Sequence, residues 1–293
     1  MERILGNPKV RKLFYLLCLA VLILLGIARF FVSYTVVDSV LNDVIASIVT
    51  TVLIGTFAFY VFPKEEDLEF KIIEPTRIKT ELLEGRLSTD HWYFTGGTGI
   101  YTRAVTLPEL AKRARSTNTP IDIKLQIIDP LNIDLCRKYA EYRRGLNTSS
   151  TTPSLWNYKY VRNHSFATIV KSVIISSQEP LVEISIGLKN NFSLFRIDLC
   201  STRVVVTKED PREVAFIFYR SSSSFNSYVH EFRETFKQTK PLKEHYETMS
   251  TLEELDTEGV KKILLDLEIF IDIDQHDLKV ILGLATSKTD PYA

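Results

Sequence analysis

The sequence predicts an N-terminal two-helix transmembrane hairpin joined to a cytosolic α/β (or α+β) domain with a mixed sheet and a helical C-terminal tail. Two strongly apolar runs, at about 13–35 and 44–62, stand close together and resemble nothing else in the chain. From Leu68 the pattern changes to short apolar runs broken by polar turns, in the strand, Gly-rich turn, helix, strand order of an α/β unit. These observations divide the chain into a hairpin at 1–62, an α/β domain at 68–243 and a helical appendage at 244–293.

The second apolar run, Val44 to Phe62, carries no charge and has about the 20 residues needed to cross the hydrocarbon core. In lipid its backbone groups must be satisfied internally, which makes it a helix. The first run, from Leu13, contains Arg29 near its far end, where a long side chain snorkels toward the headgroups beside Phe30, Phe31 and Tyr34. Arg3, Lys9, Arg11 and Lys12 precede it, whereas the connecting residues carry Asp38 and Asp43 and no cation. The positive-inside rule then places both termini in the cytoplasm of a multi-pass inner-membrane protein. Gly55, with Ser47, Thr50 and Thr51, offers a small-residue face for helix association.

In the second part, Leu68–Ile73 and Trp92–Thr95 read as short strands from their aromatic and β-branched content. A helix at about Leu107–Arg115 is opened by Thr106 and Pro108. Ile121–Ile128 alternates and then becomes wholly apolar, as an inner strand does, and stops at Asp129-Pro130. A helix at about Ile133–Arg144 follows, then a long polar loop from Gly145 to Ser154. A helix over Tyr160–Ser176 leads to four successive strands: Val182–Gly187, Phe192–Leu199, Arg203–Thr207 and Glu213–Tyr219. Ser224–Lys237 is amphipathic, with Ser224 as its expected N-cap, and Leu252–Phe270 and Asp277–Ala285 are the helices of the tail.

Among 293 residues, 36 Lys and Arg balance 36 Asp and Glu, so the formal net charge is zero. That balance argues against a dedicated nucleic-acid surface. Cys136 and Cys200 fit no metal-ligand spacing and read as buried small hydrophobes, and no metal or cofactor is expected. His91, His164, His230, His245 and His276 are dispersed and form no HxK, HExxH or HxH arrangement. No catalytic residue is therefore assigned.

The candidate ligand- or partner-binding residues are Gly96, Gly97, Thr98, Gly99, Arg103, Asp129 and Arg143. A Gly-rich turn after a strand leaves backbone N–H groups able to cradle an anion, although this one lacks the Lys-Ser/Thr ending of a P-loop. Arg103 follows it closely, and Asp129 sits at the carboxyl end of the next strand, the edge where ligands bind in open α/β sheets. Tyr139 and Arg143 are one helical turn apart, next to Tyr142 and Arg144.

The segments Gly96-Gly-Thr-Gly-Ile-Tyr-Thr-Arg103, Leu107-Pro-Glu-Leu-Ala111, Ile128-Asp-Pro130 and Leu135-Cys-Arg-Lys-Tyr-Ala-Glu-Tyr-Arg143 resemble bacterial phage-defence proteins. The cytosolic domain of those proteins is similar to a phospholipase-D-type α/β fold lacking its catalytic HxK motif. With the hairpin, the chain resembles the two-transmembrane effector of retron anti-phage systems, over the hairpin and about the first half of the second domain. The resemblance implies a toxin effector of abortive infection, not an enzyme, that disrupts the inner membrane when released. It implies as partners the lipid bilayer, further copies of the chain in the membrane, and an inhibitory reverse transcriptase–RNA/DNA complex. Two alternatives remain open: an effector gated by a cyclic nucleotide held at the Gly-rich turn and Arg103, and a membrane-tethered hydrolase built around Asp129 and His230.

Overall fold

The computed structural model describes residues 8–31, 35–61, 70–146, 155–210, 212–243, 251–270, 273–287 and 289. The chain divides into two compact units, Met1–Glu69 and Phe70–Ala293.

In the first unit, helix α1 (Pro8–Phe31) packs on helix α2 (Thr35–Val61). Gly55 of α2 lies against the Phe14 ring, so close that a Cβ there would sit 2.9 Å from it. The Tyr15 hydroxyl donates to Thr56 Oγ1 at 3.0 Å. Ser47, Thr50, Thr51 and Thr56 each donate to the carbonyl four residues back, which satisfies their hydroxyls within the helix. Arg29 lies on α1, with its side chain outside the described residues. The expectation of two membrane spans is corrected by the structure: among the described residues, no helix is long and apolar enough to cross a membrane. The transmembrane fold class and the multi-pass inner-membrane localisation drawn from those runs fall with this correction.

The second unit is built on an eight-stranded mixed sheet. The strands are β1 (Lys71–Ile73), β2 (His91–Thr95), β3 (Ile121–Ile128), β4 (Val182–Lys189), β5 (Phe195–Cys200), β6 (Arg203–Lys208), β7 (Ala215–Tyr219) and β8 (Lys240–Pro241), in the spatial order β1-β7-β6-β5-β2-β3-β4-β8. β2, β3 and β4 run parallel, and the remaining pairings are antiparallel. Because side chains alternate across a strand, the register places Trp92, Ile123, Ile184 and Cys200 on one face. Tyr93, Lys124 and Leu199 lie on the other.

Helices cover both faces. Against the Trp92 face the buried core takes in Leu82 of α3 (Pro75–Leu87), Leu110 of α4 (Leu107–Thr117) and Ile169 of α6 (Tyr158–Gln178). The opposite face carries α7 (Ser223–Lys237), where Phe232 stacks on Tyr93 at 5.0 Å. Buried Gln126 donates to the Phe232 carbonyl and to Thr235 Oγ1, and so pins α7 to β3. α5 (Ile133–Gly145) follows β3 and is capped by Asn132, whose side chain accepts from Leu135 N. Such caps are each worth about 1 kcal/mol.

Three differences from the sequence reading have physical causes. α3 was not expected, because its sequence has few apolar positions; Pro75 at its first turn and burial of Leu82, Glu81 and Arg86 make it a helix. The N-cap of α7 is Ser222, not Ser224, since Ser222 is the residue whose hydroxyl accepts from Phe225 N. The tail helices α8 (Thr257–Asp266) and α9 (Gln275–Thr286) place Val260, Leu264, Leu278 and Ile281 in the same core as the sheet. Of the loop from Gly145 to Ser154, residues 147–154 lie outside the described residues, as does His245.

Candidate anion-binding cleft

A cavity of about 510 Å³ opens at the carboxyl end of β2, on the Trp92 face of the sheet. It is walled by α3, by the turn Gly97–Thr102, by Tyr139 and Arg143 of α5, by Trp156, and by Arg196, Asp198 and Thr207–Asp210 of β5, β6 and the turn beyond. β5 runs antiparallel to β2, so its first residues lie beside the last residues of β2, with Phe94 opposite Asp198 and Thr95 opposite Ile197. The carboxyl edge of parallel strands is the usual place for a ligand in such sheets.

The Gly-rich turn is shaped by its neighbours. Gly99 has φ +70°, a left-handed conformation that favours glycine. At Gly97 a Cβ would stand 2.1 Å from the Tyr139 hydroxyl, so any side chain would expel the tyrosine. The carbonyls of the turn are occupied: Gly97 O accepts from Ile128 N, Thr98 O from Thr168 Oγ1 and Gly99 O from Arg103 N. Gly96 N donates to Gln126 O. The N–H groups of Gly97, Thr98 and Gly99 find no partner among the described residues. They precede a helical stretch whose π-helical turn, Thr102–Thr106, runs into α4, so the helix dipole also favours an anion here.

Charge is concentrated around this turn. Arg143 Nη1 binds the Glu209 carboxylate and donates to the Glu209 carbonyl at 2.8 Å, while its guanidinium lies 4.3 Å from the centre of the Trp156 ring. The Tyr139 hydroxyl donates to Glu209 Oε1 at 2.8 Å. Burial, and then the adjacent Glu209 charge, hold the Tyr139 phenol protonated well above its usual range. Asp198 is buried and accepts from Trp92 Nε1 at 3.2 Å; burial pushes its carboxyl up to about 6 against the opposing pull of Arg196. Buried Lys189, at the end of β4, donates to Thr95 Oγ1, and burial lowers its ammonium to about 8 while Glu209 works against that shift.

Of the residues singled out from sequence, Gly97, Thr98, Gly99 and Arg143 line this cavity, and Gly96 adjoins it in the chain. Arg103 does not line it. Its guanidinium is buried against α6, donating to the His164 carbonyl at 2.9 Å, to Thr168 Oγ1 at 3.3 Å and to His164 Nδ1 at 3.0 Å, and its Nε has no partner among the described residues. Burial lowers Arg103 to about 10; burial and then Arg103 lower His164 to about 3. Arginine only donates, so His164 is neutral with its proton on Nε2. Asp129 accepts from Leu131 N at 2.8 Å and shapes the turn after β3. His230 is exposed on α7, and no described cavity or hydrogen bond joins it to Asp129. Cys136 and Cys200 are buried free thiols, and burial raises Cys136 to about 12.

At the opposite edge of the sheet Asp90, His91 and Ser201 have the composition of a hydrolytic triad. Their geometry differs from one. Ser201 Oγ donates to Asp90 Oδ1 at 2.5 Å and lies 3.4 Å from His91 Nδ1, the same nitrogen that Asp90 meets at 2.6 Å. A triad needs serine and carboxylate on opposite ring nitrogens. The cluster instead braces the turn before β2 against the turn after β5, with Thr89 Oγ1 bound to Ser201 Oγ.

Sequence reasoning missed Asp198, Glu209, Arg196 and Trp156. Arg196 and Asp198 did leave a signal, as charges at alternate positions within an otherwise apolar strand segment. Glu209 and Trp156 left none, since their places depend on where β6 ends and where α6 begins.

No family model and no curated protein matches the chain. Among solved structures it is similar to TrmBL2, an archaeal chromatin protein described as showing a novel mode of DNA binding, at 9% identity and a TM-score of 0.34. The match covers 69% of this chain and 65% of that one, less than two thirds of its length. A likeness of that degree carries no functional argument.

Proposed function

We propose that the second unit is a non-catalytic binding module for a small anionic, phosphate-bearing molecule, and that it is the sensing part of a bacterial anti-phage effector. The observation that carries the first half is a cavity lined by Gly97, Thr98 and Gly99, whose N–H groups have no partner among the described residues, with the Arg143 guanidinium on its wall. Backbone donors with a helix dipole behind them recognise oxyanions, and a guanidinium adds charge-assisted bonds. The second half rests on the sequence resemblance to phage-defence effectors. The segments that carry it include the turn Gly96–Arg103 and the helix bearing Tyr139 and Arg143, which frame the cleft.

Calorimetric titration of the full chain with inorganic phosphate and with linear and cyclic nucleotides tests the module. Binding that Arg143→Ala abolishes supports it; no binding by any of them overturns it. Expression of the folded chain in a bacterial host tests the effector, with growth arrest expected and harmless accumulation counting against it. The resemblance also favours a second trigger, release from a reverse transcriptase–RNA/DNA complex. Co-purification with such a complex, and loss of arrest when it is co-expressed, would select that trigger over a small molecule.

A further inference from the structure

Glu209 is oddly placed for a carboxylate. It lines the cavity, is 5% exposed, and directs both oxygens at donors, Oε1 at the Tyr139 hydroxyl and Oε2 at Arg143. Tyr139 in turn covers Gly97, so one unbroken chain of contacts runs from carboxylate through phenol to the Gly-rich turn. Buried Lys189 lies in the same field, its ammonium supported electrostatically by Glu209. A guanidinium and a phenol converging on one oxyanion beside backbone donors is the donor set of a phosphate subsite. Here the chain's own carboxylate fills it.

We propose that Glu209 is an internal surrogate for the ligand's phosphate: the ligand is a phosphomonoester or a pyrophosphate-bearing molecule that displaces Glu209 from Arg143. This rests on the anion-binding reading above. A phosphate brings more charge and more acceptor oxygens than the carboxylate, and so outcompetes it at Arg143 while also engaging the turn. Glu209 stands directly after β6 and before the turn into β7, so displacement moves the link between two strands at the sheet's far side. That movement is the conformational signal.

The test is titration of the full chain and of Glu209→Gln, Glu209→Asp and Arg143→Ala with inorganic phosphate and inorganic pyrophosphate. Glutamine keeps the shape and one acceptor oxygen, sets its NH2 group against the other donor, and has no charge. Phosphate is therefore expected to bind Glu209→Gln at least tenfold tighter than wild type, and Arg143→Ala not to bind. Glu209→Asp retains the competing charge, so its affinity should stay within about threefold of wild type. Thermal melts of each variant establish that it is folded. Equal or weaker phosphate binding by folded Glu209→Gln overturns the surrogate. If wild type binds phosphate through Arg143 and Glu209→Gln shows no gain, the surrogate alone fails and the binding module stands. If neither wild type nor Glu209→Gln binds either probe, the surrogate fails, and the binding module fails with it only when the nucleotides titrated above do not bind either.

Discussion

Two arginines flank the Gly-rich turn, and the protein uses them in opposite ways. Arg103 is sealed between the π-helical turn and α6, where its guanidinium faces a carbonyl, a hydroxyl and a neutral imidazole. Arg143 reaches the cavity from α5, held by a buried carboxylate and stacked near Trp156. The first is a structural clamp whose charge is satisfied by dipoles. The second is an anion site with an anion already in it. Proximity in sequence to a Gly-rich turn is thus a poor guide to which cation serves a ligand; what decides is which side of the turn the side chain leaves from.

Substitutions at the two arginines should separate stability from binding. Arg103→Met strands His164 Nδ1 and takes one bond each from His164 O and Thr168 Oγ1, which keep other partners, and is expected to cost up to about 3 kcal/mol, the upper end of the 1–3 kcal/mol for a buried group left unsatisfied. A melt should show this as a drop of roughly 6–12 °C for a domain of this size, with phosphate affinity of the folded fraction unchanged. Lost affinity in a folded Arg103→Met protein would erase the distinction. Gly97→Ala forces Tyr139 off the turn and should cost up to about 3 kcal/mol as overpacking, and it should weaken phosphate binding as well. A Gly97→Ala protein with both properties intact would refute the contact between turn and tyrosine.

Asp198 sharpens the comparison through pH. Its folded-state carboxyl is raised to about 6, from 3.8 when unfolded. Any stability it contributes is therefore present below about 3.8 and is lost as pH rises through about 6. Asp198→Asn should accordingly stabilise the protein at pH 7 by on the order of 2 kcal/mol, with the gain vanishing toward pH 4, since each tenfold change in proton affinity is worth about 1.4 kcal/mol. Denaturant melts at the two pH values check this, and a pH-independent difference would contradict it. The smallest effect is expected at the opposite edge. Ser201→Ala removes the brace to Asp90, costs about 1 kcal/mol or less in a melt, and leaves phosphate binding untouched. Lost binding there would move the site to the wrong end of the sheet.

Much of the second unit was legible in local sequence. β3 at Ile121–Ile128 and the start of α5 at about Ile133 were readable because alternation and the Asp129-Pro130 stop are local signals. α3 was not, since its burial comes from pairing Glu81 with Arg203 of a distant strand. The cleft was half legible: Gly97–Gly99 and Arg143 announced themselves by type and spacing, whereas Arg103 looked equivalent to Arg143 and is not. Asp198, Glu209 and Trp156 come from three separate segments that only the sheet order brings together. The apolar runs at the N-terminus read as membrane spans from hydropathy alone, and among the described residues the helices they form are not long and apolar enough for that.

By itself the sequence determined the helix and strand periods of the α/β unit, the glycines of the turn and the absence of recognisable catalytic motifs. Those are properties of neighbouring residues. Only the tertiary structure decided that β5 returns antiparallel beside β2, which carries Asp198 to the cavity wall, and that Glu209 meets Arg143 and Tyr139 across some seventy residues of chain. Pairing of distant segments follows from where buried faces and buried charges can be satisfied together, and no local pattern encodes that.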